Sequence, residues 1–380
     1  GSASILDFSF KFIFYFFSPF LIRIFILFCA ECASIFQTNK AQKKDGFQLC
    51  FHLESNQHRK GCFTPDVVYL PTASKLDTLG FAMINPARVL SIQSQVAAGH
   101  VGHGAAVPAL YALGVEVMPL HTVLLACHPG HKRHGPSALA ALPLGPRVAV
   151  DELDIKLTAL SALGVLGSCA GGILGYMPSA AVAQRAYAAM DTITAAGGLV
   201  CIDPVMGDLD SGAYVPVEVI DHHRVHTAAC ADIITPNLFE FEVLAGGTLP
   251  TLAALTQAMA ALIQSQRVAE VVVTGVPGGR FGAPQMVGTV LATADGAWLA
   301  ESPALSLAPT VRGTGDLLTA LYVGWRLRGT APPQALANGC AAMGRVLATT
   351  AAAGRAEMAL VAQLSQLDQA AQSQPRQVSP

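Results

Sequence analysis

Pro309-Thr310-Val311-Arg312-Gly313-Thr314-Gly315-Asp316-Leu317-Leu318-Thr319-Ala320 sets two glycines and a threonine directly before an apolar run, 317–325, that reads as a helix. Glycines let backbone N–H groups turn toward one point, and a helix start adds partial positive charge there. Such a place binds phosphate oxygens without needing a cationic side chain. Asp316 shares the spot. A carboxylate beside an anion hole repels the anion unless it has a task, such as taking a proton from an attacking hydroxyl. The alternative is a simple helix N-cap, a role Asp often fills. On these residues alone both readings stand.

The chain before this stretch alternates between two kinds of segment. Residues 88–93 read as a buried strand ending at Ser94, followed by Gly99-His100-Val101-Gly102-His103-Gly104 and a helix over 105–113. Strand, glycine loop and helix open a βαβ unit, although the glycine order is wrong for a dinucleotide fingerprint. A second strand, 116–125, runs into Cys127-His128-Pro129-Gly130-His131-Lys132-Arg133-His134. With His121 these histidines invite a metal reading, but they lack carboxylate or Cys spacing and read better as solvent or substrate contacts. A helix over 151–163, a strand ending at Tyr176 and a helix capped by Ser179 follow.

Next come a strand over 199–202 carrying Asp203-Pro204-Val205-Met206-Gly207-Asp208, and a strand over 231–234 carrying Thr235-Pro236-Asn237 and Glu240. No helix is assigned between these two strands. A helix over 252–264, a strand over 270–274, a hairpin over 286–300 turning near Asp295, and helices from Pro333 to the 351–353 run complete the body. The Gln-, Ser- and Pro-rich stretch 364–380 is expected to fray. Strands alternating with helices predict an α/β fold with a mostly parallel sheet covered on both faces. Ligands collect beyond the carboxyl ends of such strands, where Ser94, Tyr176, Asp203, Thr235 and Thr274 all fall.

Four acids gather near that edge: Asp203, Asp208, Glu240 and Asp316. Taken singly, Asp203 and Asp208 read as turn formers and Glu240 as a first-turn helix acid. Together, beside an anion hole, they call for cations. Mg²⁺ arriving with a nucleotide fits, because it takes one or two carboxylates plus phosphate oxygens.

Composition divides the chain of 380 residues. Fourteen of its seventeen Phe precede Met83, no Met does, and only Lys132 and Lys156 follow it. Residues 1–82 are therefore read as an extension apart from the fold, 83–355 as one body large enough to bury a substantial core and 356–380 as a helix end and tail. The run 8–29 has the length of a bilayer span, but Lys11, Pro19 and Arg23 interrupt it, and a membrane anchor is not the reading adopted. The pair Cys29 and Cys32 has no second pair at ribbon spacing, so no metal is assigned there. A net charge of −2 without a basic stripe excludes nucleic acid as an expected partner. Scattered apolar cysteines suit a reduced, cytoplasmic protein.

From Met83 to about Gly329 the chain resembles the pyridoxal kinases of the ribokinase-like superfamily. The resemblance is carried by Ser91-Ile92-Gln93-Ser94, Gly99-His100-Val101-Gly102, Asp203 to Asp208, Ala231 to Asn237 with Glu240, and Gly313-Thr314-Gly315-Asp316. It implies a three-layer α/β/α sandwich and ATP-dependent phosphorylation of pyridoxal, pyridoxine and pyridoxamine. Asp316 would be the base, with Gly313, Thr314 and Gly315 holding the γ-phosphoryl charge in transit. Asp203 and Glu240, the metal-binding acids, would with Thr235 and Thr274 surround Mg²⁺ and a monovalent cation such as K⁺ near the phosphates, while Asp208, Tyr214 and Asn237 would border the nucleotide. Ser94, Val101, His128 and Tyr176 would face the vitamer, and a homodimer is implied. The chain departs from the pattern at Pro129, which brings no hydroxyl and no backbone donor, at His131, and at His103-Gly104. Other readings are hydroxymethylpyrimidine kinase, whose glycine motif typically ends in Cys, and a vitamer-binding protein without catalysis. A nicotinamide-dependent dehydrogenase is more distant.

Overall fold

The computed structural model describes residues 86–379; the Phe-rich extension, its apolar run and its cysteine pair lie outside them. In chain order the elements are β1 (Arg88–Ala98), α1 (His103–Ala112), β2 (Glu116–Cys127), α2 (His131–His134), α3 (Val150–Ala162), β3 (Gly171–Leu174), α4 (Ala180–Ala195) and β4 (Leu199–Ile202). Then come β5 (Gly207–Asp208), β6 (Gly212–Ala213), α5 (Val217–Cys230), β7 (Ile233–Ile234), α6 (Leu238–Ala245), α7 (Leu252–Ser265) and β8 (Glu270–Pro277). The last are β9 (Met286–Thr293), β10 (Gly296–Pro303), α8 (Thr314–Leu327), α9 (Pro332–Ala352) and β11 (Arg376–Val378).

Side chains alternate across the strands and so divide into two cores. Leu90, Ile92, Leu174, Val200, Ile202, Ile234, Val271 and Val273 face one side, where they share a cluster with Leu153 of α3, Met190 of α4, Val219 of α5, Phe241 of α6 and Met259 of α7. Their neighbours Val89, Ile173, Cys201, Ile233 and Val272 face the other, with Leu110 of α1, Leu321 of α8 and Val346 of α9. Burial on both faces is what makes these strands short continuous apolar runs, and it requires helices above and below. The expected three-layer sandwich is the observed fold. Its sheet runs β11-β10-β9-β8-β7-β4-β3-β1-β2. Pairing is parallel from β2 through β8 and antiparallel from β8 outward.

Several expectations need correction. β1 runs on to Ala98 and β8 to Pro277, so Ser94 and Thr274 lie within strands rather than at their ends. The physical edge is nevertheless where it was expected. β3 pairs with β1 only as far as Ile92, β7 pairs with β8 only as far as Val271, and both long strands shift register just beyond, at 93–95 and 273–276. The unassigned helix α5 escapes an apolar-periodicity search because its buried face includes His223 and Thr227, bonded to the Tyr187 hydroxyl at 2.9 and 2.8 Å. The C-terminal stretch does not fray: β11 adds to β10 as an edge strand, and the Ala371 amide donates to Asn338 Oδ1 at 2.8 Å. No helix among the described residues is long and apolar enough to cross a membrane.

Candidate active site

The N-cap of helix α8 is Gly313, whose φ of 90° places it in the left-handed region and which, having no side chain, supplies no capping bond. A Cβ at Gly313 would stand 1.8 Å from the His100 carbonyl oxygen and 3.1 Å from Val101 Cα. The 99–102 loop therefore lies directly against the helix start, an approach only glycine allows. The N-cap is Gly313, so the N-cap reading of Asp316 fails; Asp316 sits inside the first turn. Thr314 and Gly315 fill the turn beside it, leaving the first amides without a side-chain acceptor. Burial raises the Asp316 pKa, while the Gly102 amide supports the charged form. Gly102 itself has φ 56° and packs on Ser94, whose Oγ would be 2.4 Å from a Cβ there.

Asp203 follows β4 and its Oδ2 lies 3.9 Å from the Cβ position of Gly315. Burial, then the charges of Glu240 and Asp316, push the Asp203 carboxyl well above the usual range. Glu240 is raised by burial and by Asp316, against the pull of three backbone amides. Those amides are Met206 N–H and Gly207 N–H to Oε1 at 2.9 and 3.4 Å, and Asn237 N–H to Oε2 at 2.8 Å. The last bond and the return bond from Glu240 N–H to Asn237 Oδ1 form a capping box at the start of α6. Glu240 Oε1 thus holds the 206–207 turn onto α6, while Oε2 closes the box at the start of that helix. Asn237 adds a 2.7 Å bond from Nδ2 to the Gly207 carbonyl and bridges to Thr274.

Asp208 shapes its own hairpin, accepting from Asp210 N–H and Ser211 N–H at 3.0 and 2.6 Å. Tyr214 returns from that hairpin half exposed, and burial of its hydroxyl end together with Glu240, Asp203, Asp316 and Asp208 raises its pKa. Thr235 is buried and accepts from Thr319 Oγ1 of α8 at 2.8 Å, tying β7 to that helix. Asp203, Glu240, Asp316, Tyr214 and the glycine turn therefore share one neighbourhood, with Thr235 beneath it.

Among the described residues no three His, Cys, Asp or Glu side chains gather closely enough to hold a metal ion alone, but Asp203 and Glu240 offer the one or two carboxylates that Mg²⁺ takes together with phosphate oxygens. Burial with Glu240 and Asp316 raises Asp203, and Asp316 also raises Glu240; a divalent cation would relieve that repulsion by taking one or two of the carboxylates. Asp203 is the better ligand of the two proposed, because no amide engages its side chain as amides engage Glu240.

The proposed vitamer-facing residues are more dispersed. Tyr176 is partly buried beyond β3, its carbonyl accepting from Thr122 Oγ1 at 2.8 Å and its phenol raised by burial. His128 accepts from Gly130 N–H at 3.0 Å. Burial, then Arg312 and His131, lower its pKa to about 4 against the pull of Asp208, so the ring is neutral at pH 7. His121 and His131 have side-chain partners of their own. His131 Nε2 meets Glu357 Oε1 at 2.5 Å. His121 Nδ1 lies 2.9 Å from His103 Nδ1, and His103 Nε2 reaches the Ser91 carbonyl at 3.1 Å. A carbonyl only accepts, so His103 donates through Nε2 and receives at Nδ1 from His121.

Sequence reading missed Arg312, Glu357 and Thr319. Arg312 carried a usable signal, a lone cation directly before the glycine turn; Glu357 and Thr319 carried none, because their partners are 226 and 84 positions away.

A helix-capped glycine turn with an acid in its first turn, at the carboxyl edge of a parallel sheet, defines a small-molecule kinase of the ribokinase-like class. A family model described as phosphomethylpyrimidine kinase matches residues 174–360. The chain is 36% identical to the pyridoxal kinase PdxY of Deinococcus radiodurans, over 73% of this chain and 91% of that one. It is 35% identical to the pyridoxal kinase PdxY of Rubrobacter xylanophilus, over 72% and 91%. Its structure superposes on pyridoxal kinase from Leishmania donovani in complex with ADP and pyridoxamine, with a TM-score of 0.66 at 25% identity, covering 77% of this chain and 98% of that one. The chain belongs to the pyridoxal kinase family.

Proposed function

We propose that the protein transfers the γ-phosphoryl group of ATP to the 5′-hydroxymethyl group of pyridoxal, pyridoxine and pyridoxamine. The observation that carries this reading is Asp316 in the first turn of α8, its charge supported by the Gly102 amide and its neighbours the uncapped amides of 313–315. The 5′-oxygen forms a bond to the γ-phosphorus as the bond to the β,γ-bridging oxygen breaks. The alcohol proton passes to Asp316 and then to solvent, leaving ADP and a phosphate ester. Asp is a weak base in water, so the proton moves late, and most of the rate comes from positioning and from amides aimed at the migrating charge.

Asp203 would hold Mg²⁺, with Glu240 fixing the turn beside it; the ion, when bound, would screen phosphate charge. Thr235 and Thr274 would border a monovalent cation such as K⁺, and Asp208, Tyr214 and Asn237 would line the nucleotide side. Ser94, Val101, His128 and Tyr176 would contact the vitamer. Membership of the family supports a homodimer and a cytoplasmic location as parts of the same proposal, and light scattering of the purified full chain checks the first.

A second reading, hydroxymethylpyrimidine kinase, is favoured by the match over residues 174–360 and disfavoured by Asp316 where Cys is expected. Coupled ADP release measured with pyridoxal, pyridoxine, pyridoxamine and hydroxymethylpyrimidine separates the two. Turnover of the B6 vitamers above the pyrimidine supports the proposal; the reverse order replaces it. ATP and vitamer binding without ADP release would make the protein a non-catalytic binder.

A further inference from the structure

Arg312 precedes the N-cap of α8 and pairs with no carboxylate among the described residues, although Asp203, Asp208, Glu240 and Asp316 lie around the same edge. Among the described residues its side chain makes a single hydrogen bond, a long one of 3.4 Å to the neighbouring Val311 carbonyl. A part-buried guanidinium is normally held by an acceptor, because it offers five donors in a fixed fork. Its Nε stands 3.8 Å from the Cβ position of Gly130, so the side chain lies between the helix start and the 128–130 loop.

That loop is itself held in place. His131, three residues beyond His128, meets Glu357 at 2.5 Å, and the Glu357 carboxylate stands over Gly99, 2.7 Å from its Cβ position. Thr310 Oγ1 donates to the Ala356 carbonyl at 2.8 Å, tying the same segment to the stretch that carries Arg312. The His131 loop, the Gly99 loop and the 310–313 stretch are thereby joined around Arg312.

The geometry points to Arg312 as a phosphate-binding residue that grips the oxygens of the phosphoryl group in transfer, first as the γ-phosphate of ATP and then as the 5′-phosphate of the product. This rests on the phosphotransfer reading above. Uncapped amides at 313–315 receive one side of the group, and a planar guanidinium can take two further oxygens side by side. No bond is made or broken at Arg312; the displacement is the one already written, with its proton on Asp316. The His131–Glu357 pair positions the loop and does not touch the phosphate.

The test compares ligands differing by one phosphate, using Arg312→Gln, Arg312→Lys and Arg312→Ala in the full chain. With Arg312→Gln, the Kd of a non-hydrolysable ATP analogue should rise roughly 10- to 100-fold while that of ADP is unchanged, the range expected for a lost charge-assisted pair. Pyridoxal 5′-phosphate should weaken likewise and pyridoxal should not. Arg312→Lys should fall between, and added guanidinium should restore part of the Arg312→Ala rate, which a merely structural role would not allow. Equal effects on the ATP analogue and ADP, no effect on either, or a loss confined to pyridoxal would each overturn the assignment. So would absence of guanidinium rescue with Arg312→Ala folded. A parent that releases no ADP overturns the underlying reading; a parent that turns over and is matched by Arg312→Gln overturns the assignment alone.

Discussion

Replacing Gly313 by Ala tests the helix start where it is tightest. The new Cβ would stand 1.8 Å from the His100 carbonyl oxygen, whereas real Cβ contacts stay beyond 3.0 Å, so the 99–101 loop or the helix must retreat by at least the 1.2 Å difference. Ala must also adopt a φ near 90°. That conformation costs about 1–2 kcal/mol for a residue with a Cβ, before the backbone shift is counted. The retreat separates the 313–315 amides from Gly102, the residue supporting the Asp316 charge. A misplacement of about 1 Å costs on the order of 100-fold in rate. Gly315→Ala is the internal control: its Cβ would meet only Asp203 Oδ2, at 3.9 Å, an ordinary contact. Chemical denaturation and coupled ADP release on both variants decide the matter. Gly313→Ala should lose about 2 kcal/mol or more of stability and at least roughly 100-fold in kcat, while Gly315→Ala stays within about 0.5 kcal/mol of the parent's stability. Parent-like kcat in Gly313→Ala would refute the reasoning that this close approach builds the anion hole.

Glu270, at the opposite end of β8, accepts from Tyr322 Oη at 2.6 Å and from Arg326 at 2.7 Å; Glu270→Ala should cost about 3 kcal/mol in urea denaturation, as broken buried pairs do, with KM for both substrates unchanged. His103 and His223 are held neutral by burial, each with a pKa near 3 against an ordinary 6.5. Because the folded values lie below the unfolded ones, this stability is complete above pH 6.5 and is lost as pH falls toward 3. Each should contribute about 1.3 kcal/mol of loss between pH 7 and pH 5.5, read from denaturation midpoints, and His223→Asn should remove its share.

Much of the fold was legible because strands buried on both faces leave short apolar runs, and β4 was readable to the residue at 199–202. Helix α5 was not, since its inner face is satisfied by a Tyr187–His223–Thr227 network that only the packed structure assembles. The Gln-, Ser- and Pro-rich tail misled for a related reason: composition reports what a segment cannot bury, whereas β11 is held by the open edge of β10. In the site, Gly313 to Asp316 and Asp203 were visible as local chemistry. Glu240 was visible as an acid, but its engagement by the Met206 and Gly207 amides depends on tertiary contact. His121 looked like a possible ligand or contact and His103 like a departure from the family pattern, and they proved to be each other's partners. Arg312 was passed over because the glycine turn beside it already explained anion binding.

Single-turnover formation of pyridoxal 5′-phosphate by Asp316→Ala, with ATP-analogue and pyridoxal binding measured on the same preparation, bears most directly on the carboxylate beside the amide cradle. Loss of a general base should slow the chemical step about 100- to 10,000-fold with both ligands still bound and the fold intact. Turnover at the parent rate would contradict the assignment of Asp316 as the group that takes the proton.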